Sequence, residues 1–142
     1  MTNIIKTSWL IIYNDKGQIL MQNRESISKK WEQRGFFGWH LDEWETFEQW
    51  LEREIKEELG IDLQDYELFC KVLRPDSHIK WTFRESNVYM RKTDMEETQF
   101  TVLEWDYCKF FDVQDILNLN TFPLPKHVAR MFDEYINNPN YK

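Results

Sequence analysis

The spacing of apolar and polar positions changes several times along the chain, and each change marks an element. Residues 7–13 are largely apolar, Asn14-Asp15-Lys16-Gly17 supplies turn chemistry, and residues 18–24 resume an apolar pattern. That sequence predicts a β-hairpin. Between Glu25 and Trp44 no period holds, which predicts a long functional loop with a short strand around Phe36 and Phe37. From Phe47 the spacing becomes three and four. Phe47, Trp50, Leu51, Ile55 and Leu59 then share one side of a helix, and Glu54, Glu57 and Glu58 lie together on another. Thr46 with Gln49 forms a capping-box signature, and Gly60 supplies the stop. Residues 66–73, 81–91 and 108–111 read as strands. Asp112 is placed to cap a short helix over 113–119, and Pro125 opens a last helix striped by Val128, Met131, Phe132, Tyr135 and Ile136. No internal repeat or linker interrupts this order. The pattern predicts an α/β fold, a mixed β-sheet flanked by helices, with residues 1–142 forming a single domain.

Composition narrows the function classes. At 142 residues and 42% apolar content the chain has the size of one domain able to bury a core. No run approaches the roughly 20 apolar residues of a membrane helix, and residues 1–6 are too polar to begin a signal peptide. A soluble, cytoplasmic protein with no membrane partner is expected. Cys70 and Cys108 are far apart in sequence, so neither a disulfide framework nor a thiolate zinc site is indicated. The formal charge of −7 disfavours nucleic-acid backbone binding. A phosphate ligand would therefore need a metal as intermediary. Gly numbers 4, where ordinary usage gives about 10, while Trp numbers 7.

Glu54 and Glu58, four apart on the helix, repel by a few tenths of a kcal/mol, and Glu57 adds a third negative charge. A solvated acidic face is one reading of such a run. A hard-cation site is the other, because Mg²⁺ takes oxygen ligands from one or two carboxylates together with substrate phosphates.

Read together, Glu45, seven intervening residues and then Arg53-Glu54-Ile55-Lys56-Glu57-Glu58-Leu59-Gly60-Ile61 resemble the Nudix box. This is the signature of hydrolases acting on nucleoside diphosphates linked to another moiety. The resemblance extends to residues 38–46, which look like the family's Gly-Gly-His-x-x-x-Gly-Glu-Thr loop. It also takes in Val102-Leu103-Glu104 with Lys109-Phe110-Phe111, and the segment 123–127.

The resemblance implies an α/β/α sandwich. It also implies a metal-dependent pyrophosphohydrolase that attacks phosphorus with water, its substrate a small-molecule nucleotide: a nucleoside triphosphate, ADP-ribose or a nucleotide sugar. Mg²⁺ is the implied cofactor, with Mn²⁺ as substitute. Carried onto matching positions, Glu54 and Glu58 become the principal metal ligands, Glu57 a further ligand or water holder, and the Gly38 carbonyl another oxygen. Glu45 and Arg53 become supports that orient the ligands. Glu104 becomes the general base or a late ligand, with Glu96 and Glu97 as alternatives. A monomer or homodimer is expected.

Other residues keep two readings. His40, His78 and His127 are not spaced as a metal set. Phe36, Phe37, Trp81 and Phe83 suit either stacking on a base or core packing. Arg24, Arg34, Arg74 and Arg84 are phosphate clamps or exposed charges.

The family pattern is broken by tryptophan. Trp39, Trp44 and Trp105 stand where the family usually has Gly, and Trp50 where a small residue is expected. UGA is read as Gly in some genetic codes and as Trp in others, so one reading makes positions 39, 44 and 105, with Trp9 as a further candidate, glycine in the native protein, whereas Trp50 fits less well because Ala is commoner there. The other reading is a catalytically weak or silent Nudix-fold binding module, its substrate loop remodelled by Trp39 and Trp44.

Overall fold

The computed structural model describes residues 3–23, 34–35, 37–41, 44–76, 79–101, 107–118 and 123–137. In chain order its elements are β1 (Asn3–Tyr13), β2 (Ile19–Asn23), β3 (Arg34–Gly35), β4 (Phe37–His40), α1 (Phe47–Leu59), β5 (Glu67–Pro75), β6 (Thr82–Lys92), a 3-10 turn (Glu97–Gln99), β7 (Tyr107–Phe111), α2 (Val113–Leu117) and α3 (Pro123–Asn137). The strands form one sheet in the order β3-β2-β1-β6-β5, with β4 also paired to β1 and β7 to β2. β1 and β6 run parallel from Asn3 opposite Thr82 to Tyr13 opposite Lys92, and the remaining pairs are antiparallel. The sheet is mixed, as the pattern of elements predicted.

Alternation along the central strands builds two cores, one on each face. Ile11, Ile19, Met21, Val88 and Met90 pack with Val113 and Ile116 of α2 and with Val128, Ala129 and Phe132 of α3. Their neighbours Leu10, Ile12, Leu20 and Tyr89 point the other way, onto Leu51, Ile55 and Leu59 of α1 and onto Phe37. The result is the expected α/β/α sandwich. Phe37 is fully buried, so it is a core residue. No helix among the described residues is long and apolar enough to cross a membrane.

Several boundaries differ from the sequence expectation, each for a physical reason. β1 begins at Asn3, four residues early, because residues 3–6 pair in parallel with residues 82–85 of β6 and the Asn3 N–H donates to the Trp81 carbonyl at 2.9 Å. Thr7 Oγ1 lies 2.6 Å from Ser86 Oγ, and Ser8 Oγ donates to the Phe47 carbonyl at 2.8 Å. The β1–β2 hairpin pairs only at Tyr13 and Ile19, since β4 occupies the edge of β1 from Thr7 to Leu10 and β2 turns away to β7 and β3. α2 ends at Leu117, with Asn118 closing it. The Asp112 side chain makes no cap bond and instead accepts from Gln18 Nε2 at 3.1 Å. α3 starts at Pro123, a position whose missing N–H costs a helix nothing. Trp81 lies outside β6, in the turn before it.

Candidate active site

α1 is where the acidic residues are fixed in space. The Thr46 side chain accepts from the Gln49 N–H at 3.1 Å, the Gln49 side chain accepts from the Thr46 N–H at 3.1 Å, and Gly60 closes the helix at φ 70°. The Ser8 bond to Phe47 ties the first turn to β1, and α1 lies against both β1 and β4. Gly38 sits in β4 opposite Trp9, so its strand borders the helix.

Arg53 gathers the residues that the sequence singled out. Its Nε and Nη2 donate to the two oxygens of Glu45 at 2.9 and 2.8 Å, a bidentate fork. Its Nη1 donates to Glu57 at 3.1 Å and stands 3.7 Å from Glu54. The Glu45 side chain is only 4% exposed while that of Arg53 is 37% exposed, so the fork neutralises a buried carboxylate from the solvent side. Hydrogen bonding to Glu45 raises the Arg53 pKa above its ordinary value, against the opposing effect of burial. Glu58 is also buried, at 3% exposure, on the core side of the helix.

The acidic residues of α1 divide into two sets. Glu48 and Glu52 serve the opposite flank, where they meet tyrosines. Burial first, then the charges of Glu52 and Glu48, push Tyr66 up to about 12, and Tyr89 shifts upward through burial with a contribution from Glu48. Glu54 and Glu57 lie on the flank that Arg53 and Glu45 organise, whereas Glu58, expected on the same side as these two, is buried with the apolar residues of the helix. Hard oxygen donors on successive turns fit a divalent cation by their chemistry. Among the described residues, no three His, Cys, Asp or Glu side chains already converge on a point. In this arrangement the Arg53 Nη1 stands between the two more open carboxylates, 3.1 Å from Glu57 and 3.7 Å from Glu54.

Other sequence candidates scatter. Glu104, Trp105, Arg24, His78 and Phe36 lie outside the described residues. Glu96 is exposed and borders a polar hollow of about 410 Å³ with Asn14, Lys16 and Lys109, which none of the helix carboxylates lines. His127 is exposed on α3. Trp44 is 80% exposed in the turn before α1, and Trp50 is 2% exposed in the interior. Sequence reasoning missed the conformation of Trp81, which is 76% exposed and held at φ 59°. It also missed the cross-strand pairing of Arg74 with Arg84, which only the register reveals.

The family model for the NUDIX domain matches residues 5–134. No curated protein sequence matches the chain. Among solved structures, a MutT protein from Methanosarcina mazei Go1 is 18% identical with a TM-score of 0.72, over 96% of this chain and 97% of that one. The dihydroneopterin triphosphate pyrophosphohydrolase of E. coli is 20% identical with a TM-score of 0.72, over 89% of this chain and 93% of that one. The NUDIX domain of Shewanella oneidensis NrtR, complexed with ADP ribose, is 16% identical with a TM-score of 0.69, over 96% and 90%. At these identities the likeness is one of fold.

Proposed function

The chain belongs to the Nudix family of phosphoanhydride hydrolases, and from that premise we propose that it is a metal-dependent pyrophosphohydrolase. It cleaves the diphosphate linkage of a nucleoside diphosphate derivative by attack of water on phosphorus. The observation that carries the reading is the Arg53 fork on Glu45, which extends to Glu57 and joins three box residues in one network. A solvated acidic face has no need to bury Glu45 and Glu58.

Glu54, Glu57, Glu58 and the Gly38 carbonyl are the groups that would hold Mg²⁺, or Mn²⁺ in its place. Such a cation, when bound, neutralises diphosphate charge and acidifies the attacking water. The chain's own residues do the positioning. Glu45 anchors Arg53, Arg53 sets the direction of Glu57, and the Thr46 cap with the Ser8 bond fixes where the helix begins. Glu104 is the proposed base or late ligand, with Glu96 and Glu97 in reserve.

The substrate is a small-molecule nucleotide: a nucleoside triphosphate, ADP-ribose or a nucleotide sugar. Solved relatives named for dihydroneopterin triphosphate and ADP ribose support that range. The enzyme is cytoplasmic, works as a monomer or homodimer, and has no nucleic-acid or membrane partner.

A substrate panel with and without Mg²⁺, read by phosphate or pyrophosphate release, tests the activity. Glu58→Gln removes charge but little volume. It should lower kcat by at least about a hundredfold, since even groups that only orient metal ligands are worth about 10–100-fold, with an unchanged thermal midpoint. Normal turnover in that variant ends the metal assignment. Glu104→Gln should depress kcat far more than it weakens substrate binding.

A further inference from the structure

At the N-terminal end of β1 the sheet face turned away from α1 is unusually polar. Register places Ile5, Arg84 and Arg74 in one row across β1, β6 and β5, and Thr7, Ser86 and Val72 in the next. Trp9 follows on the same face, its Nε1 donating to Thr7 Oγ1 at 2.9 Å. Two arginines directly opposite one another repel and destabilise a strand pair.

Among the described residues one carboxylate serves this row. Asp76, its side chain 4% exposed, accepts from Arg84 Nε at 2.6 Å and from the Ile79 N–H at 2.8 Å. Arg74 is half-buried, with no ion-pair or hydrogen-bond partner among the described residues. Burial, and then the neighbouring Arg84 guanidinium, lower its pKa from the ordinary value. A half-buried guanidinium beside a like charge, with its five N–H groups uncommitted, calls for an anionic oxygen acceptor.

We propose that Arg74 and Arg84 form an oxyanion subsite that holds a phosphoryl or carboxylate group on the substrate moiety remote from the scissile linkage. This rests on the hydrolase reading above and narrows it to nucleotide derivatives with a second anionic group. The placement suits that role. Gly38 lies opposite Trp9 and Arg84 opposite Ile5, four residues along β1 and two strands across. Their backbones are therefore on the order of 16 Å apart, at about 3.3 Å per residue and 4.8 Å per strand. Among the described residues β4 pairs with β1 alone, so its outer edge is a rim over which an extended ligand passes from the helix side to the arginine side.

The test separates subsite from catalysis. Inorganic phosphate and, separately, acetate are titrated into the metal-free protein at constant ionic strength, with the ¹⁵Nε–¹H signals of Arg74 and Arg84 followed by NMR. Saturable shifts at both arginines are expected, with Arg74→Gln weakening affinity at least tenfold and Arg74→Lys, which keeps charge without the fork, falling between. The tighter of the two anions identifies the group recognised. In turnover, Arg74→Gln should lower kcat/KM at least tenfold for substrates that bear the second anion relative to those that lack it. Phosphate saturation in a chain that hydrolyses nothing supports the subsite while removing the hydrolase reading. Shifts that do not saturate, or equal losses for both substrate groups, overturn the subsite.

Discussion

The interior and the turns of this molecule treat tryptophan in opposite ways. Inside, Trp50 is the largest fully buried side chain among the described residues, with its ring centroid 5.9 Å from the Arg53 guanidinium, and Trp9 is partly buried against the α3-side core with its indole N–H bonded to Thr7. In the turns, Trp44 and Trp81 are 80% and 76% exposed, and Trp81 adopts a left-handed backbone at φ 59°. The two glycines in that backbone region, Gly17 at φ 75° and Gly60 at φ 70°, hold conformations that lack of a Cβ makes inexpensive. The difference separates tryptophans that the fold uses from tryptophans that it tolerates. Packing argues against a glycine at Trp9 and at Trp50, and the left-handed backbone of Trp81 makes that position a further candidate for the proposed glycine codon.

The largest effect should come from the interior. Trp50→Ala empties a buried volume, and unfolding by denaturant should show a loss of about 3–5 kcal/mol, whereas Trp44→Ala should stay within about 0.5 kcal/mol. Comparable losses at both positions would erase the distinction between the regions. A smaller effect, on activity, is expected at the loop that enters the box helix. Trp39→Gly combined with Trp44→Gly should raise turnover at least about tenfold, equivalent to about 1.4 kcal/mol of barrier, by removing two indole rings next to Gly38 and Glu45 in the chain. Equal rates for the two forms would mean that the rings do not matter. The gene supplies a separate check, because UGG codons at 39, 44 and 105 rule out the codon explanation.

Where local chemistry and tertiary packing agree, sequence and structure coincide. The Thr46–Gln49 box, the Gly60 stop and the three-four spacing of Leu51, Ile55 and Leu59 all point to one helix, and that helix runs from Phe47 to Leu59. Glu45 and Arg53 were legible only through the family resemblance, since eight residues of separation say nothing about a bidentate contact across a cap. The early part of β1, Asn3 to Lys6, was hidden because long-range parallel pairing with Thr82 to Glu85 holds it, which no local pattern reports. The Arg74–Arg84 row was hidden for a related reason. A β-bulge between Leu68 and Cys70 shifts the register of β5, and alternation counted from the start of that strand assigns Arg74 to the wrong face.

The smallest effect tests the comparison most directly, at Trp81. Its backbone is tied on both sides: the Trp81 carbonyl accepts from the Asn3 N–H at 2.9 Å, and the Thr82 carbonyl accepts from the Asp76 N–H at 2.8 Å. The turn therefore keeps its left-handed residue whatever side chain that residue bears. A left-handed conformation costs a non-glycine residue about 1–2 kcal/mol. Glycine removes that cost but gives back about 0.5–1 kcal/mol through the greater freedom of its unfolded chain. The exposed indole contributes little packing to lose. Trp81→Gly should then stabilise the protein by up to about 1 kcal/mol, read as a higher denaturant midpoint at constant slope. Trp81→Ala keeps the Cβ, and with it the backbone penalty, so it should leave the midpoint where it was. If alanine stabilised as much as glycine, the gain would come from removing an exposed ring, and the backbone reading of this position would be wrong.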